Sequence, residues 1–99
     1  MADDAKPDEA KLAEIRNQRG SIYGPPEENH RGIAQIWASI LQPHWQDIRD
    51  MKPLPTWAVY LLMVGVKLNR MRLVYHPDNY DDARNYLRFA EEAQRPKEA

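Results

Sequence analysis

The longest apolar run of the chain constrains its fold most, because it has the length of a helix and contains two cations. It extends from Trp57 to Met71, and the cations are Lys67 and Arg70. At about 100° per residue, both fall on a sector of large apolar side chains. That sector contains Val59, Met63, Val66 and Val74, and the narrow sector opposite it contains Ala58, Gly65, Asn69 and Arg72. The pattern predicts a central helix that points Lys67 and Arg70 inward, where a cation needs a carboxylate partner or a bound anion.

The composition is that of one small domain. The chain has 99 residues, 42% of them apolar, with three tryptophans, which is enough for a small core. Because a second subunit would better cover a central helix that is apolar nearly all round, we expect a homo-oligomer.

Charge and cysteine usage exclude several classes of protein. A net charge of -1 and a pI of about 6.3 give no basic excess for binding duplex nucleic acid. The chain contains no cysteine, which excludes disulfides, zinc-thiolate sites and cysteine nucleophiles. The N-terminus is too polar for a secretory signal, and the apolar run is shorter than the roughly 20 residues of a membrane span. We therefore expect no membrane association and a cytoplasmic location.

The periodicity predicts an all-α fold, a compact bundle of about four helices spanning residues 7–94, with disordered ends at 1–6 and 95–99. The first helix is predicted from Pro7 to Arg19, with Gly20 as its stop. The second begins after the prolines at 25–26, with acids in its first turn, and ends before Pro43.

The central helix is predicted to begin with Thr56 as its N-cap and to end near Val74 or Tyr75. The last helix is predicted to begin at Asp78 or Asn79. Between the second and the central helix lies a proline-rich connector from His44 to Pro55. Its Trp45 and Ile48 are expected to anchor a short helical turn to the body of the domain.

Several polar residues fall on the apolar faces of the predicted helices. Asn29 and His30 share the sector of Ile33, Trp37 and Ile40, and Asp82 lies at the edge of the face of Tyr86 and Phe89. We expect Asp82 to pair with Lys67 or Arg70. Packing of the three helices would bring one set of residues together in a polar pocket beside Tyr23 and Gly24. The set is Asn29, His30, Lys67, Arg70, Asp82 and Tyr86.

Each of these residues also has a structural interpretation. In this interpretation Asp82 and Arg70 form an ion pair that only fixes the helix register. Likewise, His30 is a core histidine with one hydrogen-bonded nitrogen. Asp78 and Asp82, with Asp81, are helix caps or hold a divalent cation through oxygen ligands. Gly24 ends a tight turn, or it lets backbone amides approach an anion just before a helix N-terminus.

The assembled pattern resembles a family of short bacteriophage and prophage helical proteins of unknown function. The matching residues are Arg19, Tyr23, Gly24, Pro26, Asn29, His30, Ile33, Ala34, Trp37, Lys67, Arg70, Asp78, Asp82 and Tyr86. The layout is also distantly similar to the MazG-like all-α nucleoside triphosphate pyrophosphatases, which are oligomers that use magnesium held by acidic residues. The chain lacks their Glu-x-x-Glu and Glu-x-x-Asp helices, and Asp78 and Asp82 are its nearest substitutes.

Three functions remain open at this point. In the first, a phage-type nucleotide-handling protein binds phosphate through Lys67 and Arg70, with Asn29, His30 and Tyr86 on the sugar or base. Its hydrolytic form uses Mg²⁺ held by Asp78 and Asp82 for pyrophosphohydrolysis. In the second, the protein sequesters a nucleotide signal without chemistry, as an anti-defence protein in the host cytoplasm. In the third, it inhibits a host protein, and its buried charges are structural.

Overall fold

The computed structural model describes residues 8–97, and within that range it is all-α with no β-strand. Four long helices account for most of the chain, with a short helix in the connector between the second and the third of them. The helices are α1 (Glu9–Tyr23), α2 (Pro26–Leu41), α3 (Trp45–Arg49), α4 (Thr56–Met71) and α5 (Pro77–Gln94). The all-α prediction is confirmed, while Pro7 and the predicted disordered residues 1–6 lie outside the described residues.

Helix α1 begins after Asp8, whose carboxylate accepts hydrogen bonds from the backbone N–H groups of Ala10 and Lys11. The predicted stop at Gly20 is wrong, because the helix continues for one more turn to Gly24. There the backbone turns to φ 84°, a left-handed value that favours glycine. The Gly24 N–H donates to the Gly20 carbonyl at 2.9 Å, which closes the last turn.

Helix α2 begins at Pro26, earlier than predicted, because proline fits the first position of a helix, and it ends before Pro43 as predicted. A 3₁₀ turn at Gln42–His44 leads directly into α3. The helical turn in the connector is therefore confirmed. Its expected anchor is half wrong, because the Trp45 side chain is 63% exposed, whereas Ile48 is partly buried.

The ends of α4 and the start of α5 differ from the prediction. Thr56 is the first helical residue and makes no side-chain cap, and α4 ends at Met71 rather than near Val74. Helix α5 begins at Pro77, and His76 is its N-cap through Nδ1, which accepts from the backbone N–H of Asp78 at 3.3 Å. Asp78 lies inside the first turn, where its charge complements the helix dipole.

The core lies on the sector of α4 that the periodicity assigned to the outside. Ala58 and Asn69 are 0% exposed and Gly65 is buried, while Val59 on the supposedly inner sector is 44% exposed. Small side chains let α4 approach its neighbours α2 and α5 closely, and that contact decides which face is covered. Helix α4 contacts both α2 and α5, and its most buried face is the opposite of the predicted one.

The contact between α2 and α4 is close at Gly65. A Cβ atom there would lie 2.8 Å from Cγ2 of Ile36 and 3.4 Å from Cδ1 of Trp37. The indole Nε1 of Trp37 donates to the Leu62 carbonyl at 2.8 Å, so the ring is fixed against the α4 backbone. On the other side of α4, helix α5 buries Ala83 and Ala90.

The molecule measures 54 × 40 × 24 Å, and its radius of gyration is 17.3 Å. A compact domain of this length would have a radius of gyration of about 13 Å. Many large apolar side chains remain more than a third exposed, among them Trp45, Met51, Leu68, Leu87 and Phe89. Among the described residues, no helix is long and apolar enough to cross a bilayer.

Candidate anion-binding site

The joint between α1 and α2 places Tyr23 against the other helices. Its hydroxyl accepts a hydrogen bond from Nδ2 of Asn79 at 3.4 Å, and Asn79 itself is buried at 3% exposure. The guanidinium carbon of Arg70 lies 5.1 Å from the centre of the Tyr23 ring, within the range of a cation–π contact. Tyr23 therefore connects α1 to α4 and α5 and holds the Arg70 head group in place.

Beside Tyr23 lies a cleft of about 350 Å³ between α1, α2 and α4, which we call the arginine cleft. Its charged and titratable lining comes from Arg16 and Arg19 of α1, His30 of α2 and Arg70 of α4. The described residues that line it include no aspartate or glutamate. The other lining residues are Ile15, Gly20, Tyr23, Gly24, Pro26 and Asn29.

Among the described residues, the arginines of this cleft have no acidic partner. Within residues 8–97, no carboxylate lies within 4.0 Å of the nitrogens of Arg16, Arg19 or Arg70, although six Arg or Lys side chains pair with carboxylates elsewhere. The Nε atom of Arg70 is buried and has no hydrogen-bond partner. With no carboxylate beside them among the described residues, the guanidinium groups that line the cleft favour an anion as their partner.

A network of asparagines forms the wall behind the cleft. Nδ2 of Asn69 donates to the carbonyl of Asn29 at 2.9 Å and to its Oδ1 at 2.6 Å. Oδ1 of Asn69 in turn accepts from Nε of Arg72 at 2.8 Å. A Cβ atom at Gly32 would collide with Oδ1 of Asn69, so only glycine fits there. These bonds fix α2 on α4 and orient the Arg72 guanidinium.

A second cleft of about 370 Å³ lies on the other side of Tyr23, Gly24 and Asn29, which also line the arginine cleft. We call it the Glu28–Arg72 cleft. Glu28 and Arg72 supply its charges, and Ile22 and Leu73 supply apolar walls. The two clefts thus share a wall at the start of α2.

The predicted polar pocket is divided between two places in the structure. Tyr23, Gly24, Asn29, His30 and Arg70 line the arginine cleft together. His30 does so as an exposed residue, and its predicted inward orientation is wrong, whereas Asn29 is buried at 9% exposure as predicted.

The remaining predicted site residues lie on α4 and α5 outside that lining. Lys67 is 13% exposed and pairs with Asp82, Nζ to Oδ2 at 3.0 Å, so the partner of Asp82 is Lys67 and not Arg70. Asp78 is 78% exposed and lies 3.9 Å from Nδ1 of His76, and Tyr86 is partly buried. Among residues 8–97, no three His, Asp or Glu side chains lie close enough together to hold a metal ion.

Sequence reasoning missed Arg16, Arg19, Arg72, Asn69 and Gly32 as residues of this region. One signal was available for Asn69. The buried residues Ala58, Leu62, Gly65 and Asn69 follow the helical spacing i, i+4, i+7, i+11, which is the spacing of one close helix contact. Arg19 belongs to the pattern of the family resemblance but was given no role in the site, and no comparable signal marks Arg16, because α1 has a weak apolar pattern and buries none of its residues.

Fold and site together define a small all-α protein with an arginine-lined cleft between its first, second and fourth helices. The chain belongs to the family described as a domain of unknown function (DUF6378), whose model matches residues 8–94. Comparisons with curated proteins and with solved structures found no match. The expected relationships to phage proteins and to MazG-like pyrophosphatases therefore stay predictions.

Proposed function

We propose that this protein binds a nucleotide or another phosphate-bearing ligand in the arginine cleft. The observation that carries the proposal is the convergence of Arg16, Arg19 and Arg70 on one cleft whose described lining residues include no carboxylate. The whole chain has a net charge of -1, so this local excess of positive charge does not follow from composition. Guanidinium groups bind phosphate oxygens through paired N–H donors, which suits them to this task.

Two further features of the cleft support an anionic ligand. Helix α2 begins at its edge, and no side chain caps the N-terminus of that helix. The backbone N–H groups of Glu27 and Glu28 in its first turn have no partner within the helix and favour a negative charge nearby. The Tyr23 ring keeps the Arg70 guanidinium in position before the ligand arrives. In this proposal Arg70 contacts phosphate, whereas Lys67 neutralises Asp82.

The geometry favours binding over hydrolysis. A hydrolytic site would use Mg²⁺ held by Asp78 and Asp82 beside the scissile phosphate. Asp82 already accepts from Lys67, and neither aspartate lines the arginine cleft. We therefore favour a protein that sequesters its ligand, for example a nucleotide signal of the host if the protein is of phage origin, and keep pyrophosphohydrolysis as the alternative.

Equilibrium dialysis against Mg²⁺ and a mixed pool of ribo-, deoxyribo- and cyclic nucleotides tests the proposal. Chromatography of both compartments should show an intact nucleotide retained on the protein side. Conversion to a monophosphate would instead establish hydrolysis. A pool that is neither retained nor changed, together with no binding of inorganic tripolyphosphate, would contradict the proposal.

A matched pair of double variants links binding to the cleft. Arg16→Ala with Arg19→Ala removes two cations from the lining, and we expect at least about a hundredfold loss of affinity, about tenfold for each charged hydrogen bond. Arg84→Ala with Arg88→Ala removes the same charge from exposed positions of α5. The α5 variant should bind as the unchanged protein does, which separates the cleft from a general effect of charge.

A second role, self-association, is supported by the exposed apolar residues. Trp45 forms one side of an apolar groove of about 400 Å³ with Ala38, Leu41 and Ile48. The extended shape and the small core leave this groove and the side chains around it open to solvent. We propose that a second copy of this chain covers it, as exposed patches of this kind mark association surfaces.

A further inference from the structure

The Glu28–Arg72 cleft holds two opposite charges that do not pair with each other. Both residues line the cleft, yet their charged atoms are more than 4.0 Å apart, since no ion pair joins them. Arg72 is held in place through Nε by Asn69, which is fully buried. Its Nη2 lies against α2 at Gly32, and the bond to Asn69 sets the orientation in which the guanidinium lines the cleft. The cleft thus presents a carboxylate acceptor and a guanidinium donor with space between them.

The chemistry of this pair narrows the group that fits between them. A carboxylate is an acceptor only and a guanidinium is a donor only. Their complement is a planar edge with N–H donors on one side and carbonyl or ring-nitrogen acceptors on the other. Guanine has this arrangement, because N1–H and the N2 amino group are adjacent donors, and O6 and N7 are acceptors that arginine binds. Ile22 and Leu73 offer apolar contact to the faces of the ring.

The position of the cleft relates it to the proposed phosphate site. Tyr23, Gly24 and Asn29 line both clefts, so a ligand with a phosphate chain in one has the other directly beside it. Gly24 is part of this shared wall, and the space beside it is open, since a Cβ atom there would meet nothing within 4 Å. A nucleotide extends far enough to place its base in one cleft and its phosphates in the other.

We infer that the Glu28–Arg72 cleft is the base site and selects guanine nucleotides, with Glu28 accepting from N1–H and the N2 amino group and Arg72 donating to O6. This inference rests on the proposed binding of phosphate in the arginine cleft. It assigns Glu28 to specificity, not to chemistry. It also predicts that removing a negative charge weakens the binding of a negatively charged ligand, which is the reverse of a simple electrostatic effect.

Isothermal titration calorimetry in magnesium-free buffer tests this with GTP, ITP, ATP and inorganic tripolyphosphate. ITP lacks only the N2 amino group of GTP, so we expect GTP to bind about tenfold more tightly than ITP, the worth of one hydrogen bond to a charged group. Glu28→Ala should remove that difference and leave tripolyphosphate binding equal or tighter. Glu27→Ala is the matched control, since Glu27 is 85% exposed in the same helical turn and pairs with Arg31 instead.

The outcomes separate this inference from the proposed function. Equal binding of GTP, ITP and tripolyphosphate would overturn the base site while the phosphate site stands. Preference for ATP, or a GTP preference that survives in Glu28→Ala, would also overturn it. Failure of all four probes to bind would overturn both proposals. A GTP preference that is lost in Glu28→Ala and kept in Glu27→Ala would establish the assignment.

Discussion

Gly32 of α2 faces the asparagine network, and its replacement by alanine should destabilise the protein although alanine favours helices. A Cβ atom at Gly32 would collide with Oδ1 of Asn69, lie 2.5 Å from Nη2 of Arg72 and 3.1 Å from Cγ of Asn69. The Asn69 amide must then move, and it is 0% exposed. Its hydrogen bonds to Asn29 and Arg72 would be lost or strained.

The magnitude follows from two opposing effects. Exchanging glycine for alanine inside a helix stabilises it by about 1 kcal/mol. Leaving a buried polar group unbonded costs about 1–3 kcal/mol, and the buried amide of Asn69 contributes both a donor and an acceptor to the network. Taking about 3 kcal/mol for the network gives a net loss of about 2 kcal/mol. For a domain of this size the melting temperature should fall by roughly 8–16 °C.

Gly20→Ala is the matched control, because Gly20 also lies inside a helix but a Cβ atom there would meet nothing within 4 Å. It should raise the melting temperature by about 4 °C or more, through helix propensity alone. Circular dichroism at one fixed protein concentration measures both variants, and fixing the concentration removes the effect of any self-association. If Gly32→Ala is as stable as Gly20→Ala, the proposed packing of α2 on α4 is incorrect.

Two other regions give predictions of the same kind. Asp82→Asn should lower the free energy of unfolding by about 1 kcal/mol, because Lys67 loses its partner while Asp82 is half exposed and screened by solvent. Lys67→Met with Asp82→Leu should restore or exceed the original stability in urea unfolding, and a double variant less stable than Asp82→Asn would show that the charges stabilise the fold. Trp45→Ser should shift the molar mass measured by light scattering toward the monomer. An unchanged mass, or a monomer in the original protein, would refute association through the Trp45 groove, and a partner protein would then be the occupant to seek.

The sequence is sufficient to predict the all-α class and helix α2, because each depends on local signals such as prolines, acids in the first turn and apolar spacing. The sequence is insufficient to predict which face of α4 is buried. A helical wheel ranks faces by apolar side-chain size, whereas Ala58, Gly65 and Asn69 are buried because they are small enough for close contact. The geometry of contact between two helices decides which face is buried, and the sequence of one helix does not contain that information.

The site was partly predictable for a similar reason. Tyr23, Gly24 and Asn29 lie in one local segment at the joint of α1 and α2, so their proximity follows from sequence neighbourhood. Arg70 joins them from a distant part of the chain, on a sector of α4 that the apolar pattern wrongly ranked as the most buried, and only the tertiary arrangement shows that it lines the arginine cleft. Arg16 and Arg19 lie on an exposed helix without an apolar periodicity, so only the tertiary arrangement shows that they line the arginine cleft.

Helix α1 buries none of its own residues, yet it supplies two of the arginines of the cleft. A ligand bridging Arg16 or Arg19 to Arg70 would therefore stabilise the docking of α1 on the rest of the molecule. By thermodynamic linkage, a bound ligand would stabilise the docking of α1, and a change that loosens the docking of α1 would weaken ligand binding by the same coupling free energy. If such a ligand binds, protease cleavage within α1 should become slower as the ligand is added.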